Sequence, residues 1–512
     1  MSSPRKSDSD QAGILVIGRI LASLSEALVL LLIARLLGKA DLGSLAALFL
    51  TYETLALLAS AGFPGALMYF LPTEDDTTRR AIVTRFIHVG MGMGGIAAFI
   101  MMSIGLLDFT QPALLDGLFG GFDTSTHGES GERVAFQYLL ALGISAIFDV
   151  PARLLPNLLV VEGRAKSAAA VGIIRSLGRT LFPVIPIALG MDLWWVAGSL
   201  SVFGIVFGLS VFWFRHDLYR GAPVMPWTTS NRELFKFAVP LGLTEAIGIL
   251  NKRLDRFLVV GLFAAAVVAE YEVGAWQIPF VATIPFSVGA AYTPRFRALF
   301  AEGRFREGIE IWKLSSVKVG LIVMPICMVF IVAAEESITL LFGPQYAASA
   351  IVFRLYSIWT LLRIAAFGNV ITAAGKPQFV LHAAGLSFLA NIALSVPLTL
   401  WLGYYGAALG TLVSFIPMIL FYCAKISEAT DVPFRLIYPT LEVSRILAVL
   451  ALPATGAWFL KENITFHAGA ELAICAGVVL TGFAVIGTLT KTIQADDWRY
   501  VKNWLTLRIL RN

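Results

Sequence analysis

"LGLTEAIGILNKRLDRFLVVGLF", residues 241–263, is apolar at both ends and charged in its middle. Lys252, Arg253, Asp255 and Arg256 fall within five positions, and Glu245 precedes them by two turns. At about 100° per residue, Glu245, Lys252 and Arg256 share an arc of about 40°, with Arg253 and Asp255 flanking it. The other side, with Leu250, Leu254, Phe257 and Leu258, is largely apolar. This is the pattern of a membrane helix with one face on a wet cavity. The competing reading is a self-satisfied knot, with Asp255 on Lys252 and Glu245 on Arg253 or Lys252, while Arg256 reaches outward to the membrane surface.

Composition places this helix in a bilayer. Of 512 residues, 57% are hydrophobic and 14% charged, where a soluble domain averages about 25% charged. Apolar runs of roughly 20 residues recur, each long enough for a hydrocarbon core of about 30 Å. Backbone polar groups in lipid must pair internally, which favours helices, and the alternating strand pattern of a membrane barrel is missing. The expectation is an all-α polytopic membrane protein of about fourteen transmembrane helices. It comprises a polar cytoplasmic tail (1–11), a six-span lobe (12–215), a cytoplasmic linker (216–233), a second six-span lobe (234–426), a cytoplasmic loop (427–440), a two-span hairpin (441–490) and an amphipathic tail (491–512). The polar start "MSSPRKSDSDQAG" and the full spanning length of the first apolar run argue against a cleaved signal peptide. Cys327, Cys423 and Cys475 fall in apolar spans without CxxC or metal spacing and read as small apolar fillers.

Orientation follows from loop cations. With the N-terminus in the cytoplasm, about 25 Lys and Arg fall in cytoplasmic segments and about 4 in outer ones, as the positive-inside rule requires. The dense segments are "RRAIVTR" (79–85), "RHDLYRG" with "NRELFK" (215–236) and "RFRALFAEGRFREGIEIWK" (295–313), whereas the long outer loop at 108–135 is acidic. The tail "DDWRYVKNWLTLRILRN" (496–512) interleaves cations with Trp and Leu, as in a helix lying on the inner leaflet.

The chain also repeats. Residues 158–202 align with 369–414, with Gly163 matching Gly375 and Gly198 matching Gly410 at one constant offset. More weakly, "KADLGSLAAL" (39–48) matches "VAEYEVGAWQ" (268–277). An even number of spans per copy makes both copies enter the membrane the same way, so a pseudo-two-fold along the membrane normal is expected. The last two spans have no counterpart.

Four motifs carry a family likeness: "IARLLGKADLGSLAALFL" (33–50), "LLASAGFPGALMYFLP" (57–72), "LDRFLVVGLFAAAVVAEYEVGA" (254–275), and "AAGKPQF" (373–379) with "LGYYGAALGTLVS" (402–414). In this order, on two repeated lobes, they resemble the polysaccharide-biosynthesis flippases. That family shares a superfamily with multidrug and toxin extrusion exporters and lipid II flippases. The resemblance implies movement of an undecaprenyl-diphosphate-linked oligosaccharide, a polysaccharide repeat unit, from the cytoplasmic to the outer leaflet by alternating access. It implies a bacterial cytoplasmic (inner) membrane with both chain termini in the cytoplasm. The implied partners are that lipid-linked glycan, membrane lipids, and the polymerase and glycosyltransferases that work on it; no nucleic acid is expected. No cofactor is implied, and the candidate driving force is a proton or sodium gradient. In the lipid II relatives the last pair of spans guides the lipid tail.

A charge at the bilayer centre costs about 2.5–3.5 kcal/mol on insertion scales, so buried cations must face partners or water. Arg19 and Glu26 share a face of the first span, and Arg175 and Arg179 share a face of the fifth with no acid near them in sequence. That pair is the sharpest signal, because an unpaired cation seeks an anion. Asp149 and Arg153 read instead as a structural i,i+4 ion pair. Arg354 and Arg363 lie on opposite faces of one span, and Arg363 is favoured for the cavity because Arg354 sits near the outer end. The candidate headgroup cavity is therefore Arg19, Arg175, Arg179, Lys252, Arg253, Arg256 and Arg363, since guanidinium groups grip a diphosphate bidentately. Glu26, Glu53, Asp149, Glu245 and Asp255 are counter-ions or ion-coupling groups.

Walker, HExxH and GxSxG signatures are missing, and His127 with Asp123, Glu129 and Glu132 reads as a solvated loop rather than a metal site. A multidrug/cation antiporter of the same superfamily would want an acidic, aromatic cavity, and this one reads as net basic. A membrane polymerase or glycosyltransferase acting on the same lipid would want a large outer loop with a catalytic set, which the 108–135 loop lacks.

Overall fold

The structure, a computed structural model, describes residues 24–25, 27–72, 75–111, 134–221, 230–278, 281, 284–463, 466–494 and 496. Their regular secondary structure is entirely helical. The chain divides into two compact units, Met1–Glu272 and Val273–Asn512.

The first unit contains α1 (Ala27–Leu36), α2 (Lys39–Ser60), α3 (Phe63–Phe70), α4 (Asp76–Thr110), α5 (Leu139–Gly143), α6 (Ala146–Ala152), α7 (Leu155–Val161), α8 (Ala165–Ala188), α9 (Leu193–Leu218), α10 (Asn231–Asn251) and α11 (Leu254–Leu262). Helix α12 (Ala265–Gly274) carries the chain across the boundary. The second unit contains α13 (Ile284–Ala301), α14 (Phe305–Val332), α15 (Ala334–Phe342), α16 (Ala350–Leu362), α17 (Phe367–Ala373), α18 (Gln378–Leu402), α19 (Tyr404–Thr430), α20 (Thr440–Asn463) and α21 (Ala468–Leu489).

Among the described residues, ten helical stretches are long and apolar enough to cross a membrane. The other expected spans are the first (12–37), fourth (134–160), seventh (234–263) and eighth (268–292), and each has a visible reason. The first runs partly outside the described residues. The fourth is divided into α5, α6 and α7, with Pro151 inside α6 and Pro156 opening α7. The seventh is divided into α10 and α11 and carries charge along its length. The eighth is divided between the short α12 and the start of α13, with positions outside the described set between them.

Helix starts are marked by local chemistry. Asp75 accepts from the Thr78 amide at 3.0 Å to cap α4, and these hydrogen bonds hold its carboxyl below the usual range. Ser230 and Glu233 form a reciprocal capping box at α10, with bonds of 3.2 and 3.1 Å. Each unit has its own apolar core: Phe63, Phe86, Leu155 and Leu234 in the first, Phe296, Trp312, Val370 and Ile426 in the second. All three cysteines are buried and free.

Two close contacts position the functional helices. Gly43 lets α2 approach α12 so closely that a Cβ would lie 1.7 Å from the Ala265 carbonyl oxygen. Gly62, between α2 and α3, has φ +80°, and a Cβ there would lie 2.2 Å from the Ala238 carbonyl oxygen. Its amide donates to Glu245 Oε2 at 2.8 Å, so Glu245 fastens α10 to this turn.

In the second unit, buried Asn391 accepts from Ser395 Oγ at 2.6 Å within α18. Helix α19 packs tightly there, because Gly410 leaves no room for a Cβ beside Ser395. Lys461 of α20 reaches Glu336 of α15 at 2.8 Å, with side-chain exposures of 11% and 7%.

Gly62→Ala is expected to lower the melting temperature of the detergent-solubilised protein. The left-handed backbone costs about 1–2 kcal/mol for an L side chain, and the overpacking about 1–3 kcal/mol more. Lys461→Met alone strands a buried carboxylate and is expected to cost about 3–5 kcal/mol, whereas Lys461→Met with Glu336→Met recovers most of the loss. Thermal denaturation of the two single variants and the double variant checks this.

Candidate substrate site

The seventh span breaks where its charge is densest. Helix α10 ends at Asn251 and α11 begins at Leu254, with Lys252 and Arg253 between them. The same arrangement recurs where Arg153 follows α6 and where Arg363 follows α16. At each break a cation sits at the carbonyl end of a half-helix, where the helix dipole and unpaired carbonyls favour positive charge.

Arg253 turns onto α2. Its Nη1 donates to Thr54 Oγ1 at 2.8 Å and to the Leu50 carbonyl at 3.3 Å. Both acceptors are neutral, and among the described residues no carboxylate pairs with Arg253.

The other arginines of this unit form an alternating string. Arg179 of α8 donates to Glu53 Oε1 of α2. Arg153 clamps Glu53 through Nη2–Oε1 at 3.0 Å and Nη1–Oε2 at 3.3 Å. The same guanidinium donates to Asp149 Oδ2 from Nη2 at 2.8 Å and from Nε at 3.1 Å. Asp149, only 5% exposed, also accepts from Arg175 Nη2 at 2.8 Å. The order Arg179, Glu53, Arg153, Asp149, Arg175 leaves one net positive charge across α2, α6 and α8.

A cavity of about 380 Å³ opens beside this string. Its lining includes Phe49 and Glu53 of α2, Ser176, Arg179 and Thr180 of α8, Arg253 and Arg256 from the broken span, and Glu272 of α12. Three guanidiniums thus face two carboxylates. Arg256 Nε lies 3.2 Å from Glu272 Oε2. A second cavity of about 20 Å³ touches Asp149 and Arg179 and has room for one water molecule. Apolar walls of Val29, Leu42 and Leu45 complete the main cavity, so its charges act in a setting where electrostatic attraction is strong.

The sequence expectations sort as follows. Arg179, Arg253 and Arg256 come together in the cavity. Arg19, Glu26 and His127 lie outside the described residues. Arg175 and Arg179 were expected to lack an acid, and this is corrected: Asp149 and Glu53 hold them from other helices, 26 and 126 residues away. A single-helix projection cannot see such partners. Asp149 and Arg153 do form the expected i,i+4 pair. Glu245 binds the Gly62 amide. Asp255 is 1% exposed and accepts from Tyr271 Oη at 2.7 Å and from the Arg256 amide at 2.9 Å. Lys252 is exposed. Arg363 belongs to the second unit, its guanidinium 4.2 Å from the Trp359 ring centre. Arg354 Nε donates to the Ile331 carbonyl at 3.2 Å. Sequence reasoning missed Glu272 and Thr54 as site residues. Glu272 was visible only as one of two acids, with Glu270, interrupting an apolar run; nothing local marked Thr54. Among the described residues, no group of three or more His, Cys, Asp or Glu side chains is placed to hold a metal ion.

Comparison with known proteins bears on the fold and the family. The structure resembles a lipid II flippase, MurJ, in an inward closed conformation, with a TM-score of 0.68, 12% identity, and coverage of 93% of this chain and 98% of that one. It also resembles MATE in complex with MaD3S, with a TM-score of 0.53, 17% identity and coverage of 84% and 98%. A MOP superfamily transporter from Pyrococcus furiosus gives a TM-score of 0.52, 16% identity and coverage of 82% and 95%. These likenesses are of fold, and with the ten apolar helices they make this a multi-pass membrane protein. The capsular polysaccharide biosynthesis protein CapF of Staphylococcus aureus is 25% identical over 150 residues, covering 28% of this chain and 37% of that protein. Residues 10–292, more than half of the sequence, match the family described as polysaccharide biosynthesis protein, and the chain belongs to that family.

Proposed function

We propose that this protein is a flippase that carries an undecaprenyl-diphosphate-linked oligosaccharide from the cytoplasmic to the outer leaflet by alternating access. The observation that carries this reading is Arg253, a guanidinium at a helix break, lining the cavity and hydrogen-bonded only to neutral oxygens among the described residues. A cation so placed has no carboxylate hydrogen-bonded to it among the described residues, and a diphosphate supplies an anion in the geometry guanidinium groups bind best. The excess of guanidinium over carboxylate in the cavity lining favours an anionic headgroup over a cationic drug. Ser176 and Thr180 add polar side chains to the wall that the headgroup meets, while the prenyl tail stays in lipid.

In this reading the protein moves its substrate without changing it and uses no cofactor. A proton or sodium gradient drives the cycle. The membrane is the bacterial cytoplasmic membrane, with both termini on the cytoplasmic side. The glycosyltransferases that build the glycan supply the substrate, and a polymerase consumes it.

Arg253→Ala is expected to reduce headgroup translocation in proteoliposomes at least about tenfold, the cost of one charge-assisted hydrogen-bonded contact. Arg253→Lys is expected to keep part of the activity, because the charge remains and the planar fork does not. Lys425→Ala removes a cation that forms a surface pair with Glu428 and is expected to change nothing measurable. Translocation by Arg253→Ala at the unsubstituted rate would refute the assignment.

A further inference from the structure

The cations of the cavity are not equivalent. Arg253 rests on neutral acceptors, whereas Arg179 is already held by Glu53 and Arg256 by Glu272. An anion entering the cavity meets one guanidinium that needs a counter-ion and others that have one. Building on the headgroup reading above, we propose that Glu53 is a built-in competitor that makes the site select a diphosphate over a monophosphate. Its carboxylate occupies on Arg179 the place that a second phosphoryl group takes.

Three features support this exchange. Glu53 is tethered beside Arg179, so it competes at a high effective concentration, and a single phosphate arriving from the membrane does not displace it. A diphosphate anchored on Arg253 by one phosphoryl group presents the other at a comparable effective concentration and with greater charge. Glu53 also has somewhere to go. Both of its oxygens are bound by Arg153, at 3.0 and 3.3 Å, so releasing Arg179 does not strand a buried carboxylate. A buried carboxylate left without its cation is strongly destabilising. The alternating string therefore makes the exchange affordable: Arg153 keeps Glu53 neutralised while Arg179 passes to the ligand. A monophosphate, bound at Arg253 alone, leaves the Glu53–Arg179 pair intact.

The test is binding to the full chain in lipid nanodiscs. The probes are geranylgeranyl diphosphate and geranylgeranyl monophosphate, with inorganic pyrophosphate and phosphate as the lipid-free arms. The unsubstituted protein is expected to prefer the diphosphate in both arms. Glu53→Gln is expected to raise monophosphate affinity about tenfold, and Glu53→Asp to preserve the selectivity. Arg179→Gln narrows the same ratio from the other side, lowering diphosphate affinity to that of the monophosphate. Melting temperatures report folding, and Arg179→Gln keeps the proposal open to refutation should Glu53→Gln fail to fold. A ratio unchanged in both variants, in a protein that binds the diphosphate, overturns the selectivity role and leaves the headgroup reading standing. Selectivity confined to the lipid probes overturns it too, because the discrimination would then lie in the tail. An unsubstituted protein that binds none of the probes overturns both readings.

Discussion

Arg153 is the constraint on which the first unit depends. One guanidinium binds Glu53 and Asp149 together, and those carboxylates in turn hold Arg179 and Arg175. Three membrane cations are thereby held by two acids. Without Arg153 the carboxylates would still be paired, with α8 tied to α2 through Glu53–Arg179 and to α6 through Asp149–Arg175, but the direct link between α2 and α6 would be lost. With it, helices that belong to different parts of the sequence acquire one fixed register. A buried ion pair contributes little net stability compared with good apolar packing. Its value here is placement: Arg179 points into the cavity because Glu53 holds it there, and Glu53 stays in place because Arg153 grips it from behind.

Cations also mark the broken helices. A continuous α-helix satisfies its own backbone and offers nothing to a ligand. At the breaks at Arg153, Lys252–Arg253 and Arg363 a cation stands at the carbonyl end of a half-helix, the end where the helix dipole favours positive charge. Irregular backbone at membrane depth is tolerated where it is buried in protein or lines a cavity, and the break at Arg253 lines one. Glu245 supports this local geometry by binding the Gly62 amide, while Asp255, bound to Tyr271 and to the backbone of Arg256, braces the start of α11.

Much of the fold was legible in the sequence because it rests on local patterns. Apolar runs of spanning length, the loop cations and the helix caps each occupy a few neighbouring residues, and ten of the expected spans appear as apolar helices. The breaks were harder to see. Hydropathy averages over a window and passes across Arg153 and Arg253 without marking a change of direction. The site was half legible. Helix periodicity found Arg179, Arg253 and Arg256, but it could not tell a paired arginine from one held by neutral groups. It ranked Arg175 and Arg179 as the cations without acids, and their acids came from other helices. Arg253, which one reading paired with Glu245, rests instead on Thr54, 199 residues away. Counter-ions are a tertiary property, and no spacing rule within one helix reports them.

The central claim is that a diphosphate completes the coordination of Arg253 inside the cavity of the first unit. The most direct measurement is an electron cryomicroscopy map of the protein in nanodiscs, with a polyprenyl-diphosphate-linked sugar added. The account requires phosphate density within hydrogen-bonding distance of the Arg253 guanidinium and between it and Arg179. Phosphate density elsewhere, with Arg253 still bound to Thr54 and Leu50 and no ligand in the cavity, would contradict it.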